Sequence, residues 1–299
     1  MMEIYNKLPL FLECIQHWKS PPSQADFNHQ YLKPLEKLLH PMLEDFGSRG
    51  RKGLYTELKA LDWEKYRAVS LKLDSKKEES RVERHILQVE NLLNTKLKGE
   101  VVLFGAFTMM DGYARFHQGT HRVFLGVDES HGRGAYLDVL MTHELTHVAR
   151  EPQVNVWKGW GLSPVMTHDE FAENMSVIEH LMSEGFSCVV SEILNPNEDP
   201  SHYVYQTPES LKEVFKNAKA IDEMVHSEVQ KKDGDYGKLY DVKAYKPTVP
   251  LYAHYVWAWQ WVKTLLHEKY NHDPKKLLDL CSKDLIENAL EFKLSTMIS

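Results

Sequence analysis

The sequence predicts an α+β fold, mainly α, in which a small antiparallel sheet packs on a helix carrying two histidines one turn apart. Three observations lead there. Leu, Ile and Val recur at helical spacing through residues 1–98. From residue 99 the pattern switches to period two with β-branched residues and holds to about residue 127. Two long segments, 135–150 and 168–194, then return to helical spacing, with further helices toward the C-terminus. The 299 residues thus divide into a helical N-terminal region, 1–98, and a second region, 99–299, that holds the sheet (100–127) and both long helices.

In the N-terminal region the helical segments are 26–46, 53–72 and 78–96, separated by SPPSQ (20–24) and GSRGRKG (47–53). The run DSKKEESRVER (74–84) alternates in sign, as a solvated helix face does. No candidate chemistry falls here, so the region reads as a cap or as a wall of a cleft. The apolar run from Leu8 to Ile15 is broken by Pro9 and Glu13 and lacks a basic start and a cleavage site, unlike a signal peptide. No apolar window reaches the length of a membrane span.

Whole-chain composition narrows the class. Hydrophobic residues make up 42% and charged residues 26%, with a net charge of −7, so neither nucleic acid nor an anionic membrane is an expected partner. Three scattered cysteines, Cys14, Cys188 and Cys281, make neither a disulfide framework nor a thiolate metal site. Together these features point to a cytoplasmic protein; they leave its oligomeric state open.

The sheet is expected from strands at 101–107, 113–117 and 121–127, with Met110-Asp111-Gly112 and Gln118-Gly119-Thr120 as turns. An exposed edge strand here could take an extended peptide by strand addition, although a hairpin that only packs on helices has the same pattern. His117, His121 and His131 read as surface histidines outside any site.

The next helix carries HELTH (143–147). Two imidazoles four residues apart share one helix face, so His143 and His147 can reach one metal ion, while Glu144 projects beside them as a base for water. Leu137, Met141, Leu145 and Val148 line the opposite side; Gly132 and Gly134 mark the start and Pro152 the end. Residues 151–164, rich in Trp and Gly, read either as a lid or as an aromatic-anchored loop.

Segment 168–194 opens with a T-x-x-E capping box, Thr167 to Glu170, and stops at Asn195-Pro196. Its stripe of Phe171, Met175, Ile178, Met182, Phe186, Val189 and Ile193 is complete without Glu184, which lies on a second, largely apolar face with Val177, Leu181 and Cys188. A carboxylate there is costly unless paired or metal-bound, which makes Glu184 the candidate third ligand. His180 is the reserve, and Glu173 and Glu179 lie on the same segment. The metzincin pattern fails, because Arg150 and Gln153 stand where it needs Gly and His.

HELTH (143–147) with EGFS (184–187) resembles the gluzincin metallopeptidases. More narrowly, FLGVDE (124–129), HELTHVAR (143–150) and SEGFS (183–187) resemble the domain-of-unknown-function 2268 family, the YjaZ-like predicted zinc-dependent proteases, over about residues 99–265. The resemblance implies a zincin-like catalytic region that binds Zn²⁺ and acts on a peptide or protein. It also implies an oxyanion donor on a tyrosine-rich helix. The segment 248–267 matches that helix, with Tyr255 the best match and Tyr252 and His254 next; aromatic core packing is the alternative for each. The chain departs from the thermolysin-like pattern at Cys188, where an Asp would orient the first histidine.

The resulting expectation is a zinc peptidase with His143, His147 and Glu184 as ligands, Glu144 as general base and Tyr255 as oxyanion donor. The competing expectations are a catalytically silent peptide-binding or regulatory protein on the same fold, and a hydrolase of non-peptide amides.

Overall fold

A computed structural model describes residues 2–47, 50–128, 134–231, 235–241 and 248–297. The fold is α+β and mainly α, with one four-stranded sheet. Its strands are β1 (Met2–Asn6), β2 (Gly99–Phe104), β3 (Gly112–His117) and β4 (Thr120–Gly126), in the order β1-β2-β4-β3.

Two expectations about the sheet are corrected. It is mixed rather than antiparallel: β1 pairs with β2 and β2 with β4 in parallel, and only β3 runs antiparallel to β4. The N-terminal region is not helical throughout, since Met2–Asn6 forms an edge strand. The reason lies in burial. Val101-Val102-Leu103-Phe104 is buried on both faces, and so are Val123, Phe124 and Leu125. Such continuous apolar runs belong inside a sheet, with a neighbour on each side. The less apolar β3, GYARFH, is left at one edge, and β1 covers the other. Gln118 and Gly119, both with positive φ, make the tight β3–β4 hairpin.

From Leu8 onward the described elements of the N-terminal region are helices. The segment expected at 53–72 is two helices, Arg51–Ala60 and Trp63–Ser70, because Asp62 caps the second through the Lys65 N–H. The helix Ser75–Leu93 braces the motif helix, Gly134–Arg150. Arg81 makes a two-pronged bond to Asp138 (2.7 and 2.9 Å), and His85 meets the same carboxylate at 2.5 Å. Near the start of the motif helix, Gly132 and His131 lie outside the described residues, as does Glu129.

The segment expected as one helix over 168–194 is also two, His168–Asn174 and the glutamate helix Val177–Leu194. Met175 turns extended and Ser176 restarts the chain, accepting from the Glu179 N–H at 3.2 Å. The apolar stripe is divided accordingly. Met175 is buried, and Phe171 packed, in a small cluster with Phe116, Val156, Trp157 and Met166; Ile178, Met182, Phe186 and Val189 enter the main core; Ile193 is exposed.

The aromatic helix expected at 248–267 spans Ala253–Tyr270. The glutamate helix is sandwiched between it and the motif helix. Gly185 permits that approach, since a Cβ there would lie 2.4 Å from the Ala258 carbonyl oxygen. One hydrophobic cluster runs from Met2 to Leu294. Among the described residues no helix is long and apolar enough to cross a membrane.

Candidate metal centre

The motif helix and the glutamate helix face each other at His143, His147 and Glu184. His143 Nε2 lies 3.0 Å from Glu184 Oε2, His147 Nε2 lies 3.1 Å from His143 Nε2, and His147 Nε2 lies 3.5 Å from Glu184 Oε2. Three donors bound at about 2.0–2.2 Å in a tetrahedral arrangement would stand about 3.3–3.6 Å apart. The triangle therefore has the size a metal ion requires, and this group can hold one. The expected reserve ligands fall elsewhere. His180 Nδ1 is 3.9 Å from Glu184 Oε1, outside the triangle, and its Nε2 meets the Tyr240 hydroxyl at 3.3 Å. Glu179 is buried and paired with Arg150, and Glu173 is exposed.

Each ring is held from behind. His147 Nδ1 meets Glu151 Oε1 at 3.0 Å and Ser183 Oγ at 2.9 Å. His143 Nδ1 faces the Cys188 thiol at 3.9 Å, a weak contact at the position where the thermolysin-like pattern has an Asp. His143 also lies between aromatic rings, edge-on to Tyr205 at 5.0 Å and stacked on Tyr255 at 6.3 Å.

Electrostatics follow burial and these neighbours. Burial pushes the His143 imidazole down. It would do the same to His147, but the Glu184 and Glu151 carboxylates hold that ring well above its ordinary range. Burial opposes ionisation of Glu184, yet His147 and His143 keep its carboxyl well below the usual carboxylate range. Burial raises Glu144 to about 8, with Glu184, Glu151 and Asp111 adding to the rise against His147. A divalent cation among the donors would lower it again.

The triad opens into a cleft of about 630 Å³. Gly112 forms part of its wall, and a Cβ there would meet Glu144 Oε1 at 2.8 Å, so the D-G turn lets β3 pass directly over the carboxylate. Gly112, Tyr113 and Ala114 of β3 line the cleft, and the N-terminal region contributes Phe46. Asp45 fixes that wall, accepting from Tyr113 Oη (2.9 Å) and Arg115 Nε (2.7 Å).

Tyr255 lines the cleft, and its hydroxyl bonds the Tyr240 hydroxyl at 3.1 Å. Tyr252 sits at the rim, 42% exposed, whereas His254 is fully buried away from the cleft lining. Two participants escaped the sequence reading. Glu151 falls just past the end of the motif helix, at i+4 from His147, a spacing that could have revealed it. Tyr205 follows a short turn of 3₁₀ helix in a left-handed conformation (φ 54°), with no sequence signal. His121, expected at the surface, is buried and bonds Glu151 Oε2 at 2.7 Å. Residues 151–164 form an anchored loop with a short helix, Val154–Lys158, rather than a lid: Trp157 is fully buried and donates to the Glu151 carbonyl at 2.7 Å, and of this stretch only Glu151 lines the cleft.

No protein-family model matches this sequence, and neither the curated proteins nor the solved structures give a match.

Proposed function

We propose that this chain is a zinc-dependent peptidase of the gluzincin type, similar to the domain-of-unknown-function 2268 proteases. The observation that carries the proposal is the convergence of His143, His147 and Glu184 into one donor triangle, with Glu144 beside it, in a cleft bordered by an edge strand. Two histidines and a glutamate are the ligand set of several zinc hydrolases, and nitrogen and oxygen donors in a tetrahedral frame suit zinc.

In this reading His143, His147 and Glu184 hold the zinc. Bound there, zinc supplies a Lewis acid that polarises a substrate carbonyl and lowers the pKa of a coordinated water to about 7. Glu144 takes the proton of the attacking water and passes it to the leaving amine. Its buried, proton-seeking carboxyl suits a group that must gain and give up a proton within one turnover. Tyr255 donates to the carbonyl oxygen as negative charge builds there, exchanging its bond to Tyr240 for one to substrate. The 112–114 edge of β3 offers backbone groups to an extended substrate strand.

The test is a paired one. Wild-type protein loaded with zinc should cleave members of a random peptide library, and Glu144→Gln should keep the zinc and lose cleavage. Zinc binding without any cleavage by wild type would favour the silent peptide-binding or regulatory protein instead.

A further inference from the structure

The two histidines of the triad are supported unequally, and the difference assigns a role to residues outside it. We infer that Glu151, fixed by His121 and Ser183, is the positioning residue that orients His147, so that support for the metal ligands rests on the second histidine and not on the first. The inference rests on the metal reading proposed above.

Glu151 meets Nδ1 of His147, the nitrogen opposite the one that converges on His143 and Glu184, so it is not a fourth ligand. With Nε2 turned to the metal, Nδ1 carries the hydrogen and donates it to Glu151 Oε1. That fixes the tautomer as well as the ring plane. Glu151 is in turn held at three points. Ser183 Oγ donates to Oε1 at 3.0 Å, His121 Nε2 donates to Oε2 at 2.7 Å, and Trp157 Nε1 donates to its carbonyl oxygen at 2.7 Å. The carboxylate and the His121 ring are both buried. A buried carboxylate with every oxygen engaged has one orientation available, which is the property a positioning group needs.

The array also ties together three elements. His121 comes from β4, Glu151 from the residue just past the motif helix and Ser183 from the glutamate helix, one residue before the ligand Glu184. On the other histidine the corresponding place holds a thiol at 3.9 Å, a weak partner with no charge to offer.

The experiment measures zinc affinity by competition with a chromogenic chelator, and records the visible spectrum of the Co²⁺-substituted protein as a report on ligand geometry. The variants are Glu151→Ala, Glu151→Gln, His121→Phe and Cys188→Ala. Glu151→Ala should weaken zinc by about 10–100-fold and alter the cobalt spectrum. Glu151→Gln, whose amide oxygen can still accept from Nδ1, should fall between it and wild type. His121→Phe should weaken zinc in the same direction while leaving the ligands and Glu151 itself unsubstituted, and it carries the test if Glu151→Ala does not fold. Cys188→Ala should stay within about threefold of wild type. Wild-type affinity and spectrum in both Glu151→Gln and His121→Phe, or a larger loss in Cys188→Ala than in Glu151→Ala, overturns the inference. Wild-type protein that takes up neither zinc nor cobalt overturns the metal reading itself, a separate outcome.

Discussion

Replacing Arg150 with Met should be among the most damaging single changes outside the triad. The Arg150 side chain is fully buried. Its Nε and Nη2 bond the two oxygens of the equally buried Glu179 at 3.1 and 3.0 Å. Nη1 reaches the Leu277 and Leu278 carbonyls, and Nη2 the Leu280 carbonyl. One guanidinium therefore clamps the end of the motif helix, the start of the glutamate helix and the 277–280 segment. Methionine fills similar volume but leaves three carbonyls without their donor and Glu179 without its cation. Breaking a buried pair from one side costs about 3–5 kcal/mol. With an unfolding entropy of roughly 0.6 kcal/mol/K for a chain of this length, 4 kcal/mol lowers Tm by about 6 °C. The loss should also depend on pH. Burial already raises the Glu179 carboxyl against the pull of Arg150; without Arg150 it rises further. A group whose folded pKa exceeds its unfolded value contributes stability below the unfolded pKa and loses it as pH rises. The Glu179 part of the Arg150→Met deficit should thus be absent below the unfolded carboxylate range and grow as pH rises, on top of the pH-independent cost of the three carbonyls. Thermal melts across that range, on Arg150→Met and on Arg150→Met/Glu179→Met, measure both effects, and the double variant should recover part of the loss. A deficit under about 1 kcal/mol at pH 8, independent of pH and additive with Glu179→Met, refutes the clamp.

Three further outcomes follow from the same geometry. Glu184→Ala should weaken zinc by at least about 10-fold in a chelator titration while His180→Ala changes it little; the reverse pattern would move the ligand one turn back. Gly185→Ala gains about 1 kcal/mol of helix propensity but sets a Cβ 2.4 Å from the Ala258 carbonyl oxygen, so a net loss of about 1–2 kcal/mol should appear in urea unfolding, and a stabilised variant would contradict the close packing of the two helices. Asp138→Asn should cost about 2 kcal/mol at neutral pH by breaking the bond to Arg81 and His85. Burial alone would raise the Asp138 carboxyl, but His85 and Arg81 hold it well below the usual carboxylate range. Its contribution is therefore present above the unfolded pKa of about 3.9 and lost as pH falls further, so wild type and variant should converge in acid melts.

The parts of the site that were legible in the sequence are those where local spacing dictates geometry. HELTH fixes two imidazoles on one helix face whatever surrounds them, and Glu184 is conspicuous because its helix had no apolar use for it. The parts that were not legible depend on contacts between distant residues. Met2–Asn6 is too short and too mixed to announce a strand; it becomes one because β2, buried on both faces, needs a second neighbour. The order β2-β4-β3 reflects competition for the sheet interior, won by the more apolar β4, and no hairpin signal carries that information. The break at Met175-Ser176 was within reach, since Ser176-Val177-Ile178-Glu179 is itself a capping pattern, but the apolar stripe ran unbroken across it. His121 looked like a surface histidine because its partner, Glu151, is thirty residues away in the chain and adjacent only in space.

In the proposed function one metal site is assembled from two helices. Metal analysis of freshly purified wild-type chain beside His143→Ala tests it most directly. About one zinc per chain is expected in the wild type and essentially none in the variant. Wild-type protein that carries no zinc and takes none up after metal is supplied, or His143→Ala that retains a full complement, would contradict it.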